Sequence, residues 1–170
     1  TSLPERQVML SNAETLVQRF DYIVGRVDDV TKEMNSQIAG AVSEINQLAG
    51  GIATLNEEIA KVSGRTGGLP NDLLDQRDAL IVQLSSLVDT KTLAQDDGSL
   101  NVFIGRGQPL VTGTVAETLA TQTDSELGST SLVTLSAFVA GSSDVSDFLT
   151  GGKLGAALTV TDEVVNPTRR

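Results

Sequence analysis

The chain contains no cysteine, no histidine and no tryptophan, and only 3% of its 170 residues are aromatic. Without cysteine it cannot form disulfides, thiolate nucleophiles or cysteine-ligated zinc sites, and its redox compartment stays undetermined. Without histidine it has no imidazole for a hydrolase triad, a histidine-bound metal or a proton shuttle. The catalytic groups that remain are carboxylates, lysines, hydroxyls and the one tyrosine, Tyr22.

Basic residues are also scarce, because 12 Lys and Arg stand against 22 Asp and Glu, for a formal net charge of −10. So few cations and aromatic rings cannot build a surface that neutralises phosphates or stacks bases, and we predict no nucleic-acid partner. No apolar run approaches the roughly 18 residues that a membrane-spanning helix needs. The residues after Thr1 do not form a cationic stretch followed by a hydrophobic one. We therefore predict no membrane association and no cleavable signal.

Apolar residues recur at steps of three and four from Leu16 to Val62, which is the pattern of a heptad seam in two sets joined by an extra step of four between Met34 and Ile38. The first set is Leu16, Phe20, Ile23, Val27, Val30 and Met34. The second set is Ile38, Ala41, Ile45, Leu48, Ile52, Leu55, Ile59 and Val62. We predict one helix from about Leu3 to Val62, roughly 90 Å long at 1.5 Å per residue. A narrow seam on so long a helix needs cover from other helices, of this chain or of neighbours.

The ends of this helix are marked in the sequence. Ser2 and Glu5 fit a capping box, and Pro4 suits the first turn. A glycine-rich stretch at 63–68 and then Pro70 end the helix. The adjacent glycines at 50 and 51, each unfavourable by about 0.5–1 kcal/mol relative to alanine, leave open whether the helix breaks there.

A second helix of about 19 residues is predicted after an N-cap at Asn71, antiparallel to the first and covering only its C-terminal third. From Thr90 the pattern changes to strands, predicted at 91–95, 100–104, 109–112, 117–121 and 131–139. Helical spacing returns from Asp144, in a segment that we expect to pack on the uncovered part of the first helix. Because the chain starts at Thr1 and this pattern reaches Arg170 without a glycine cap, we expect a fragment of a longer protein.

The predicted fold class is therefore α+β, a long-helix antiparallel bundle with a small antiparallel β domain inserted before the returning helix. The predicted divisions are a helical bundle at 1–89, a β domain of four or five strands at 90–143, and at 144–170 a returning helix that is truncated at its end.

The motifs that could carry chemistry have ordinary structural roles that explain them. Asp72, Asp75 and Asp78 repeat every three residues, which suits helix capping and solvated charge and does not match the spacing of a calcium loop. The turn at 96–99 lacks the later glutamate of a calcium loop, and Gly151-Gly152-Lys153 lacks the spaced glycine of a phosphate loop. We therefore predict no catalytic, cofactor-binding or metal-binding residues, no cofactor and no enzymatic activity.

Three stretches of the chain resemble the FlgK family of bacterial flagellar hook-associated proteins, which form the junction between hook and filament. The most specific is Pro70-Asn71-Asp72-Leu73-Leu74-Asp75-Gln76-Arg77-Asp78, and the others are Glu44 to Ile59 and Gly151 to Leu158. The resemblance implies a structural subunit of the bacterial flagellum, secreted through the flagellar export apparatus to the cell exterior. The implied partners are neighbouring copies in a ring, the flagellar hook protein and a second junction protein.

Two alternatives stay open from the residues alone. One is another extended coiled-coil assembly module, such as a different flagellar axial protein or a phage tail fibre. The other is a carboxylate-based calcium-binding or enzymatic domain.

Overall fold

The computed structural model describes residues 3–66, 68, 70–123, 130–136 and 142–165. The chain begins with a long helix, α1 (Leu3–Thr66), and a shorter one, α2 (Asn71–Leu87). The strands that follow in the described residues are β1 (Thr90–Ala94), β2 (Leu100–Ile104), β3 (Gln108–Thr112), β4 (Val115–Ala116), β5 (Thr118–Thr123), β6 (Thr130–Ser136) and β7 (Ser142–Asp144). A 3-10 turn at Ser146–Phe148 leads into α3 (Gly152–Val160), and a π-helical turn at Thr161–Val165 follows. The predicted α+β class, with a long helix, antiparallel strands and a returning helix, is confirmed.

Helix α1 runs for 64 residues without interruption, through both Gly50 and Gly51. The flanking residues Ala49 and Ile52 are fully buried, and Gly51 faces the side chain of Leu80 on α2. Packing on both sides of the glycine pair outweighs their low helix propensity, which is unfavourable by about 1–2 kcal/mol for the pair. The predicted capping residue Ser2 lies outside the described residues.

The predicted N-cap of α2 is wrong by one position. Pro70 occupies the cap, and its carbonyl accepts hydrogen bonds from the backbone N–H groups of Leu73 and Leu74, both at 3.1 Å. Asn71 is instead the first helical residue, and no side chain caps the helix. Proline fits this place because the start of a helix does not require its missing N–H. The helix has 17 residues, two fewer than predicted.

The strands form two antiparallel sheets, with orders β1-β2-β3-β4 and β5-β6-β7. Seven strands in the described residues exceed the predicted four or five, because β4 and β7 are too short to show an alternating pattern. Strand β5 continues to Thr123, two residues beyond the predicted end at 121. Asp144, predicted to begin the returning segment, is instead the last residue of β7 and pairs with Thr134 of β6. The last residues of the fifth predicted strand, 137–139, lie outside the described residues.

One hydrophobic core joins the helices to the strands. Its fully buried side chains include Ile38, Ile45 and Ile52 of α1, Leu84 and Leu87 of α2, Ile104 and Leu110 of the first sheet, and Leu154 of α3. Because this core contains residues from 1–89, 90–143 and 144–170, the division of the chain at those boundaries stays a prediction.

Candidate functional site

The N-terminal part of α1 carries apolar side chains that nothing in the described residues covers. Leu16, Phe20 and Ile23 of the predicted seam are 56%, 59% and 52% exposed. Further along the same seam, Ile38 and Ile45 have no exposed surface. We call the residues Met9, Leu16, Phe20 and Ile23 the apolar stripe. They share the helix face that is buried in the second half of α1, because their spacing of seven, four and three returns to the same side.

Isolated exposed apolar residues are common, but several aligned on one helix face are typical of a surface that packs against another chain or segment. The face opposite the stripe also carries Tyr22, which is 69% exposed.

The returning helix α3 covers α1 only beyond the stripe. It packs where Met34 and Ala41 of α1, Leu87 of α2 and Ala157 and Val160 of α3 line an open groove of about 480 Å³. Helix α3 and the π-helical turn after it span 152–165, and the first turns of α1 stay uncovered in the described structure.

Asn56 links the buried half of α1 to the first sheet. Its side chain has no exposed surface, and its Nδ2 donates to the carbonyls of Leu100 at 2.7 Å and Gly113 at 2.6 Å. Its Oδ1 accepts from the N–H of Leu100 at 3.1 Å and from the guanidinium of Arg77 at 3.0 Å. One amide therefore satisfies backbone groups at the start of β2 and at the β3–β4 turn.

Arg77 extends this connection to α2. It is 5% exposed, and the nitrogen that donates to Asn56 also donates to the carbonyl of Gly98 at 2.8 Å. Burial lowers the pKa of its guanidinium, and the neighbouring Asp78 carboxylate opposes that change. Its Nε is buried without a hydrogen-bond partner. Arg77 thus ties α2 to the β1–β2 hairpin as well as to α1.

Asn46 makes the equivalent link to the second sheet. Its Nδ2 donates to the carbonyl of Leu119 and its Oδ1 accepts from the N–H of Leu119, both at 2.9 Å. Leu119 lies on β5, the edge strand of the sheet β5-β6-β7. At Leu119 the asparagine side chain therefore takes the place of a neighbouring strand and satisfies both backbone groups of that residue on the open edge.

Close backbone contacts hold the start of α3 against the end of α2. The N–H of Asp89 donates to the carbonyl of Thr150 at 2.9 Å, and the Thr150 hydroxyl donates to the Asp89 carboxylate at 3.0 Å. Gly152 has φ +59°, and a Cβ there would lie 2.6 Å from the backbone nitrogen of Val88 and nearer still to the carbonyl of Leu87. Gly151 and Gly152 both have positive φ, and at this contact they turn the chain into α3.

The carboxylates of the acidic motifs do not gather into a metal-binding group in the described residues. Among the described residues, no three His, Cys, Asp or Glu side chains come close enough together to hold a metal ion. Asp97 is explained by its turn: its carboxylate accepts from the hydroxyl of Ser99 at 2.6 Å and from the N–H of Ser99 at 2.9 Å. These two bonds lower the pKa of the Asp97 carboxyl. In the described part of the chain no helix has both the length and the apolar character needed to cross a membrane.

Sequence reasoning did not assign roles to Asn46, Asn56 or Arg77. All three fall within the stretches that carried the family resemblance. The signal that could have found the asparagines is their position on or beside an otherwise apolar helix face, where a polar side chain needs partners. Which partners they have depends on strands that are 44 to 73 residues away along the chain.

The geometry defines a class of protein, an elongated helical scaffold whose core supports an uncovered apolar helix. Comparison with known proteins narrows this class. The family model described as the flagellar hook-associated protein FlgK helical domain matches residues 1–170. The chain therefore belongs to the FlgK family of flagellar hook-associated proteins.

Individual relatives agree with this assignment. Flagellar hook-associated protein 1 of Salmonella typhimurium and that of Escherichia coli are each 34% identical over 166 residues, covering 96% of this chain. The Bacillus subtilis protein of the same name is 30% identical over 146 residues, or 76% of this chain. The chain spans 30% of the length of the Salmonella and Escherichia proteins.

The fold agrees with a solved structure. The flagellar hook junction protein FlgK of Burkholderia pseudomallei superposes with a TM-score of 0.83 at 31% identity. The match covers 98% of this chain and 30% of that one.

Proposed function

We propose that this chain is the helical body of a structural subunit at the junction between hook and filament of a bacterial flagellum. Membership of the FlgK family supports this role, and the names of the relatives describe hook-associated and hook junction proteins. The observation that carries the proposal in this chain is the apolar stripe at the start of α1, because a junction subunit must bury part of its surface against neighbours.

In this proposal the two halves of α1 have different tasks. The second half is fixed within the core, where Asn46 and Asn56 attach it to both sheets. The first half extends from that base and presents Leu16 and Phe20 to other helices of the assembly. Burying the exposed half of each such side chain would contribute about 1 kcal/mol, so the stripe as a whole supplies several kcal/mol of contact energy.

The proposed partners are neighbouring copies in a ring, the flagellar hook protein and a second junction protein. The proposed location is the flagellum outside the cell, reached through the flagellar export apparatus. We propose no catalytic role. The net charge of −10 supports a protein that stays soluble until it reaches its partners.

The test uses matched substitutions on the two faces of α1, introduced into the full-length protein in the bacterium that encodes it. Phe20→Glu places a charge in the stripe. Tyr22→Glu places the same charge two residues away, on the opposite face of the helix. Both side chains are more than half exposed in the described structure, so neither change should unfold the chain.

We expect cells with Phe20→Glu to lose motility and to release unattached filament protein, whereas cells with Tyr22→Glu keep filaments on their hooks. Circular dichroism of the purified chains should show equal helix content for both variants and wild type. Normal filaments with Phe20→Glu would refute the proposed role of the stripe. Normal filaments in cells lacking the whole protein would refute the junction function itself.

A further inference from the structure

The buried face of α1 repeats itself every seven residues. Four isoleucines with no exposed surface form one row: Ile38, Ile45, Ile52 and Ile59. Asn46 lies in a second row that otherwise consists of alanines: Ala39, Ala53 and Ala60. If α1 moved along its axis by one heptad, it would present almost the same isoleucine row to the rest of the core. Repeating apolar packing is therefore a weak determinant of register here.

Asn46 and Asn56 interrupt this repetition. A shift of seven residues toward the C-terminus would bring Ala39 to the place of Asn46 and Ala49 to the place of Asn56. Alanine has no side-chain amide, so the N–H and C=O groups that the asparagines bind in β2, β5 and the β3–β4 turn would lose these partners. Buried backbone groups without partners strongly disfavour a structure.

We propose that Asn46 and Asn56 act as register keys, that is, as residues that fix the axial position of α1. The hydrogen bonds from their side-chain amides to the two sheets hold α1 in one position among several that its isoleucine row would accept. Gly51 adds a smaller preference, since the same shift would place Glu44 opposite Leu80. A glutamate side chain can turn away from Leu80, so that contact is a weak obstacle to the shift. The backbone groups that the asparagines bind are a stronger one, because an alanine side chain offers them no hydrogen bond. The last turns of α1, which end at Gly64 and the glycines beyond it, could unwind to lengthen the connection to α2.

This inference does not depend on the flagellar role, and it can be tested on the 170-residue chain. Because the chain has no cysteine, two introduced cysteines carry spin labels at defined sites. Ser36 on α1 and Asp96 in the β1–β2 turn are both exposed. Asp96 lies beside Ala60 and Gly64, so the two labels are about 40 Å apart along the helix axis. A one-heptad shift toward the C-terminus would shorten that distance by about 10 Å.

The first variant is Asn46→Ala with Asn56→Ala, and its control is Ile45→Ala, which weakens the core and keeps both keys. Pulsed electron paramagnetic resonance should give one distance between the spin labels for wild type and for the control. The double variant should show a second population about 10 Å shorter. A folded double variant with only the wild-type distance would overturn the proposal, and so would a shortened population in the Ile45→Ala control.

A second variant decides the question if the double variant does not fold. It combines Asn46→Ala and Asn56→Ala with Ala39→Asn and Ala49→Asn, which moves both keys by one heptad. The moved amides can reach the same strand groups only if α1 shifts by seven residues. We expect helix content to recover and a single distance about 10 Å shorter than in wild type. Either the wild-type distance or no recovery of helix content would overturn the proposal.

Discussion

Substitution of Gly152 by alanine should separate the returning helix from the end of α2. Gly152 has φ +59°, which is strained for alanine by about 1 kcal/mol. The new methyl group would also meet backbone atoms of Leu87 and Val88, with the Val88 nitrogen at 2.6 Å. Backbone cannot swing aside as the tip of a side chain can. Helix α3 must therefore move by about 1 Å, enough to loosen Leu154, which has no exposed surface.

The expected loss of stability follows from these two contributions. Overpacking of a tight core typically destabilises by about 1–3 kcal/mol, and the strained φ adds about 1 kcal/mol. The sum is about 2–4 kcal/mol in the free energy of unfolding. For a chain of this size each kcal/mol lowers the melting temperature by about 2–4 °C, so we expect a decrease of about 5–15 °C. Urea and thermal unfolding followed by circular dichroism at 222 nm would measure it.

Gly113 provides a matched control. Its φ is +58°, almost the same as that of Gly152, but a Cβ there would have no other atom within 4 Å. Gly113→Ala therefore carries the strain without the collision, and the reduced entropy of the unfolded chain offsets part of that strain. We expect its stability to stay within about 1 kcal/mol of wild type. Equal destabilisation by the two substitutions would refute the claim that backbone contact makes Gly152 necessary.

Three further results are expected. The hydrogen bonds that lower the pKa of Asp97 stabilise the fold well above pH 3.8, and this contribution disappears as the pH falls through the lowered pKa. The melting temperature of Asp97→Asn or Ser99→Ala should therefore fall less steeply than that of wild type when thermal melts are repeated below pH 4. Ile45→Ala should reduce the free energy of unfolding in urea by about 2–5 kcal/mol, whereas Leu16→Ala should change it by less than about 0.5 kcal/mol. Gly50→Ala should raise that free energy by about 0.5–1 kcal/mol, because a Cβ at this helical position meets nothing within 4 Å.

The outcomes that would contradict these expectations are specific. Parallel acid transitions in wild type and Asp97→Asn would show that the Ser99 bonds do not stabilise the charged carboxylate. A large loss of stability from Leu16→Ala would mean that the stripe is already covered in the isolated chain. A destabilising Gly50→Ala would indicate a helix that needs flexibility at this point.

The helices were more predictable than the strands. The alternation of three and four along Ile38 to Ile59 predicted the buried face of α1, because helix periodicity is a local property that repeats over many turns. The pairing of β1 with β2 agrees with the strands predicted on either side of the turn at 96–99, because a short turn between two strands is also a local feature. The two-residue strand β4 carries no period, and its existence depends on pairing with β3.

The sequence predicted only part of the candidate surface. The seam predicted that α1 needs cover, and the estimated length of α2 predicted that this helix covers only the C-terminal third of α1. The sequence did not indicate that α3 would return beside Ala41 and leave Leu16 and Phe20 uncovered, because the place of its return is a property of the assembled fold.

The amino-acid order by itself determined the local features: a long amphipathic helix, a second helix after a proline, turns at glycines, and a surface too acidic and too poor in histidine, cysteine and aromatics for many kinds of chemistry. Only the tertiary structure decided that Asn46 and Asn56 join the helix to two sheets, and that the first turns of α1 stay uncovered. The reason is that periodicity and turn preference arise between near neighbours in the chain. An amide finds its partner 73 residues away only when the whole fold brings the two together.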